Sequence, residues 1–108
     1  MLVDETFDPS GSGCYELTRV HHADGHILRV RVRRDAYAQQ SHAVAEVLTD
    51  AKTWTVLATS PQAAWYPGTP YTSRTAQPLV PIADGLLTRA RAILTGGPHA
   101  CPPEQPAS

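Results

Sequence analysis

Residues 28–33 alternate apolar and basic side chains without a break: Leu-Arg-Val-Arg-Val-Arg. On an extended strand, successive side chains point to opposite faces. The pattern predicts a half-buried strand with Leu28, Val30 and Val32 inward and Arg29, Arg31 and Arg33 outward. A helix would spread both sets around its circumference, so this segment makes a sheet the framework of the fold.

Ala23-Asp24-Gly25 stands just before it as a turn. The Asp-Gly pair admits two hairpins. A two-residue loop pairs Val20 with Arg29. A three-residue loop, with Gly25 left-handed, pairs Val20 with Leu28 and Arg19 with Arg29. A slip of one residue flips every side chain to the other face. The three-residue loop keeps the apolar residues together and is the predicted one. One face then carries Val20, Leu28, Val30 and Val32. The other carries Tyr15, Leu17, Arg19, Arg29, Arg31 and Arg33.

Residues 36–48 are ambiguous. Helix propensity favours a helix capped by Asp35, but its apolar stripe would be poor. Alternation separates Ala43, Ala45 and Val47 from His42, Val44, Glu46 and Leu48, so a strand explains more residues. A loop over Thr49-Asp50-Ala51-Lys52 leads into a clear strand containing Trp54, Val56 and Ala58. The predicted register pairs Val47 with Trp54, Ala45 with Val56 and Ala43 with Ala58.

Residues 61–81 hold five of the ten prolines, with Trp65, Tyr66 and Tyr71 among them. A long irregular segment follows, with a single helical turn near residues 62–65. Residues 81–95 read as the one good helix. Pro81 suits its first turn and Gly96 its C-terminal cap. Ile82, Leu86, Leu87, Ala90, Ile93 and Leu94 form its apolar stripe. Gly85 interrupts it, and a close approach to the sheet is the expected reason.

The expected fold is α+β: a four-stranded antiparallel meander with one C-terminal helix packed on one face (ββββα), spanning residues 13–95. Its core is predicted as Val20, Leu28, Val30, Val32, Ala43, Ala45, Val47, Trp54, Val56, Ala58, Leu86, Leu87, Ala90, Ile93 and Leu94. Residues 1–12 and the proline-rich residues 96–108 bury too little apolar surface to order and are expected to be disordered.

Nine basic and ten acidic residues give a net charge of −1, which excludes a strongly basic DNA-coating protein and an acidic tail protein. The two ends hold the acids Asp4, Glu5, Asp8 and Glu104 and no lysine or arginine, so the middle of the chain is net basic. No apolar run is long enough for a membrane span, and no secretory signal is read at the start. The two cysteines, Cys14 and Cys101, do not make a disulfide framework. The expectation is a cytoplasmic chain with reduced thiols, contacting no membrane. Arginine outnumbers lysine, as a GC-rich genome would produce, which weakens any functional reading of single arginines.

One sheet face would lie uncovered, since a lone helix cannot roof both. Arg19, Arg29, Arg31 and Arg33, with Tyr15 beside them, are the candidate nucleic-acid or polyanion site. Forked guanidinium donors fit phosphate, and Tyr15 could stack on a base. The competing account is a solvated face, with Glu46 pairing one arginine. Trp65, Tyr66 and Tyr71 are candidates for a partner or ligand loop, though Trp65 is better read as closing the core. His22 and His26 would be cross-strand neighbours, but no spacing distinguishes a metal site, and neither metal nor cofactor is expected. No nucleophile elbow, phosphate loop or carboxylate pair is present, so an enzyme is not expected. Two functions follow: a noncatalytic module contacting nucleic acid through the arginine face, or a protein-interaction module (homodimer, adaptor or inhibitor) using the open face and the aromatic proline-rich loop.

The stretch RVRVRRDAYAQQSHAVAEVLTDAKTW, from Arg29 onward, resembles a pattern in small uncharacterised actinobacterial and mobile-element proteins. There an Arg-alternating strand runs into Arg-Asp-x-Tyr (here Arg34, Asp35 and Tyr37), then an alternating strand and a Trp (here Trp54). The resemblance implies a strand over residues 41–48 and implies no activity.

Overall fold

The computed structural model describes residues 2–9, 14–70 and 73–96. Five strands form one antiparallel sheet in chain order: β1 (Leu2–Asp8), β2 (Tyr15–Ala23), β3 (His26–Arg34), β4 (His42–Leu48) and β5 (Trp54–Thr59). A short helix α1 (Gln62–Trp65) follows, and helix α2 (Val80–Gly96) closes the described chain. The α+β meander with a C-terminal helix on one face is as expected, but with five strands rather than four.

The additional strand is β1, in a segment expected to be disordered. It aligns along β2 from Leu2 opposite His21 to Asp8 opposite Glu16. Only Phe7 of its side chains is even half-buried. Composition reflects apolar burial alone. A strand added to an existing edge also satisfies backbone donors and acceptors, which composition does not show. Phe7 meets the Tyr15 ring edge-on, with centroids 6.3 Å apart. The proline-rich residues 97–108, expected to be disordered, lie outside the described residues.

The first hairpin departs from the expected register. Val20 pairs with Arg29, Ala23 with His26, and the loop is Asp24-Gly25 alone. Asp24 at φ 58° and Gly25 at φ 79° both occupy the left-handed region. This is the geometry of a two-residue hairpin turn, whose twist matches that of the strands. Turn chemistry therefore overrode the grouping of apolar residues. Tyr15, Leu17 and His21 lie buried on the face opposite the arginine ladder, with Leu28, Val30 and Val32. Val20, predicted as core, lies on the other face beside Arg29.

The region of residues 36–48 is mostly strand, as alternation suggested, preceded by a 3-10 turn at Ala38–Gln40. The second hairpin is again shifted by one. Leu48 pairs with Trp54 and Val47 with Thr55; an irregularity then brings Ala45 opposite Ala58. The shift follows from the turn: Thr49 N–H donates to Thr53 O at 2.8 Å, and Lys52 is left-handed at φ 66°. Closing this turn consumes one more residue than the loop predicted from sequence. Trp54 and Val56 thus leave the core for the outer face, where Val56 is 54% exposed. The bulge returns Ala58 to the core, where it was predicted.

Helix α2 begins one residue earlier and ends one later than expected. It lies mainly over β3, β4 and β5. Its buried side is Leu79, just before the helix, then Ala83, Leu86 and Ala90. Ile82 and Leu87 flank that stripe, half-buried. Ile93 was expected inside and is 42% exposed. Ala43 and Ala45, both buried, lie beneath the helix, where their small side chains suit a close approach to the sheet. Gly85 does not serve this approach: it is exposed, and a Cβ there would meet nothing within 4 Å. Glycine at this position costs the helix about 1 kcal/mol relative to alanine, and packing does not require it.

Candidate interaction surface

The sheet face away from α2 carries Glu16, Thr18 and Val20 from β2, Arg29, Arg31 and Arg33 from β3, Val44, Glu46 and Leu48 from β4, and Trp54 and Val56 from β5. The register places Glu46 directly opposite Arg29, with Arg31 one step along the same face. Glu46 is buried at 5% exposure. It accepts a hydrogen bond on Oε1 from Arg29 Nε at 2.9 Å and another from Arg31 Nε at 3.1 Å. Arg31 Nη2 adds a third to Oε2 at 3.3 Å. Arg33 lies 3.8 Å from Glu16 and 3.3 Å from Asp35. Each guanidinium of the ladder thus has a carboxylate from its own chain. The sequence anticipated one such pair through Glu46; the structure gives Glu46 two arginines and Arg33 two carboxylates.

The same face is partly apolar. The Arg29 guanidinium stacks over the Trp54 ring, 4.2 Å from its centroid, where cation–π attraction couples the two side chains. Val44 and Leu48 are half-buried in the adjacent strand.

Two residues assigned to the arginine face from sequence lie elsewhere. Arg19 stands on the helix side, where its Nε donates to Glu5 Oε2 at 2.7 Å and its Nη1 to Asp84 Oδ1 at 3.1 Å. Tyr15 is 1% exposed in the core, its hydroxyl donating to Pro70 O at 2.8 Å. Both moved because the two-residue turn shifted β2 by one position. The same shift sets His22 opposite Ile27 and His26 opposite Ala23, on different faces. Among the described residues no cluster of three metal-ligating side chains occurs, and no helix is long and apolar enough to cross a membrane.

The loop aromatics divide. Trp65 is buried at 7% exposure, its indole N–H directed at Ser60 O, 3.3 Å away. It closes one end of the core, as read from sequence. Tyr66 lies under the buried Arg34 guanidinium, 4.0 Å from its ring centroid, and donates to Ala36 O at 2.6 Å. Arg34 also donates to Thr69 Oγ1 at 3.2 Å and to Asp35 O at 3.1 Å. This clamp, which the sequence reading missed, fastens the proline-rich segment to the end of β3. Its only advance signal was an arginine breaking the alternation before an acid. Tyr71 lies outside the described residues.

Several titrating groups are displaced by these contacts. Burial raises the Glu46 carboxyl, but the hydrogen bonds and charges of Arg29 and Arg31 outweigh it and hold it below its ordinary value. The Tyr37 backbone N–H and Arg33 lower Asp35. Burial, with Arg19 nearby, lowers His21. Both kinds of shift act in the same direction on folding. A carboxylate with a lowered native pKa contributes stability above the unfolded value, about 4.3 for Glu, and loses it as pH falls through the native value. A histidine with a lowered native pKa is protonated first in the unfolded chain, so stability declines as pH drops below about 6.5. The urea midpoint should therefore be flat from about pH 7 to 9, below the range where the buried Tyr15 phenol, raised by burial, enters, and fall in two stages on acidification. Replacing His21 by Leu should remove the earlier stage and leave the later one.

No protein-family model matches the chain, and neither a curated protein nor a solved structure matches it.

Proposed function

We propose that the chain is a noncatalytic protein-interaction module whose contact surface is the sheet face bearing Arg29, Arg31, Arg33, Trp54 and Val56. The observation that carries this reading is the pairing of all three ladder guanidiniums with Glu46, Glu16 and Asp35. A polyphosphate would have to compete with carboxylates already in place, and would meet Glu16 and Glu46 as like charges. A protein surface can instead use the face as it stands. Val56 and the Trp54 edge offer apolar area, and paired charges offer oriented donors at low ordering cost. A flat, partly apolar face on a small domain suits such a role.

The nucleic-acid reading retains one observation: the Arg31 and Arg33 side chains are 36% and 37% exposed. The two readings separate in one set of measurements. Multi-angle light scattering over a micromolar concentration series should show a dimer that Val56→Glu returns to monomer. A gel shift with duplex and single-stranded oligonucleotides should show no complex at physiological salt. A complex weakening steeply with salt and lost with Arg31→Glu and Arg33→Glu would transfer the surface to nucleic acid. A strict monomer that captures no protein partner and forms no such complex would remove both.

A further inference from the structure

On the helix side of the molecule, apart from the sheet face, α1 and α2 flank an open cleft of about 220 Å³. Trp65, Ile82 and Leu86 form apolar walls, Gly85 lies along one flank, and Ser60 and Arg89 are its polar residues. Ile82, Gly85 and Arg89 fall on one ridge of α2 by their spacing of three and four. Gly85 is where the helix departs from its own propensity with no packing reason, since a Cβ would reach only open space. Gly85 borders the cleft, so a long side chain there would be able to reach across its mouth.

Arg89 is the second observation. Arg19, Arg29, Arg31, Arg33 and Arg91 each pair with a carboxylate. Among the described residues Arg89 has no such pair. Its Nη1 donates to Thr59 O at 3.0 Å, which ties it to the end of β5 and leaves its other donors unassigned. An apolar cleft next to an arginine without a carboxylate is complementary to a molecule with an apolar body and one negative end. We propose that the cleft binds a small monocarboxylic acid, its aromatic or branched aliphatic body beside Trp65 and over Gly85, its carboxylate on Arg89. A cavity of about 150 Å³ accommodates benzene, so the body is of single-ring size. Gly85 is then a residue kept for binding at the expense of helix stability.

The probe is 3-phenylpropionate, with 3-phenylpropionamide as its uncharged counterpart, titrated into the full chain and followed by the Trp65 indole and Gly85 amide resonances. Saturable shifts with a millimolar Kd are expected for the acid, weakened at least tenfold for the amide and in Arg89→Gln. Gly85→Ala should raise Tm by about 4 °C while weakening the acid several-fold, and Gly85→Leu should abolish its shifts. Thermal unfolding of each variant separates loss of binding from loss of fold. No saturable shift to 20 mM, equal binding of acid and amide, or undiminished binding by a folded Gly85→Leu variant would overturn the assignment.

Discussion

Replacing Arg29 and Arg31 together by methionine is expected to lower the unfolding free energy by about 3 kcal/mol, near the lower end of what breaking a buried ion pair costs. Glu46 is the reason. Its side chain is 6% exposed, and methionines of similar length would keep water from it while removing every charge-assisted donor it has from β3. The arginines are themselves 26% and 36% exposed, so solvent screening holds the effect below the extreme for a deeply buried pair. Adding Glu46→Met should return most of the loss, because an apolar set of similar volume needs no desolvated charge. Urea unfolding of the parent, double and triple variants reads this directly. A triple variant no more stable than the double one would show that the arginines act through their packing against Trp54, not through Glu46.

The second large effect is expected at Trp65. Trp65→Ala should cost about 3–5 kcal/mol, the range for a large aromatic side chain removed from a core. The residue lies in the same buried cluster as Leu79, Leu86 and Ala58, so its loss opens a cavity where the proline-rich segment meets the helix. Trp65→Phe should retain most of the apolar contact and forfeit the weak indole bond to Ser60. Thermal unfolding of the two variants should rank them far apart. If both behave like the parent, the aromatic ring is not part of the core.

The sheet was legible because alternation in β3 and β4 is a strong local signal. Leu28, Val30, Val32, Ala43 and Ala45 are all at or below 1% exposure, as their period of two required. Which residues share a face with them depends on register, and register is decided by turns. Asp24-Gly25 and Thr49–Thr53 each shifted the pairing by one against the prediction, and each moved two residues to the other side: Tyr15 and Arg19 inward, Trp54 and Val56 outward. The arginine ladder itself lies on the face away from α2, as the alternation placed it. Its neutralisation was only half visible, since Glu46 was a foreseeable partner, whereas the Asp35 contact depends on how the chain turns after β3. The Arg34–Tyr66 clamp links residues far apart in sequence, and the arginine that breaks the alternation does not name its partner.

Strand β1 follows a different logic from the four that succeed it. Its attachment is almost wholly main-chain, with Phe7 and the Glu5–Arg19 ion pair as side-chain anchors. The free energy needed to lift it away is therefore far below that of unravelling the helix-covered strands. Its amides are expected to exchange ahead of those of β2 to β5, which a native-state hydrogen-exchange map would read. Detachment would bare the edge of β2 and uncover Tyr15 where Phe7 meets it, and an open edge of this kind is what reciprocal trading of the arm between two molecules would fill.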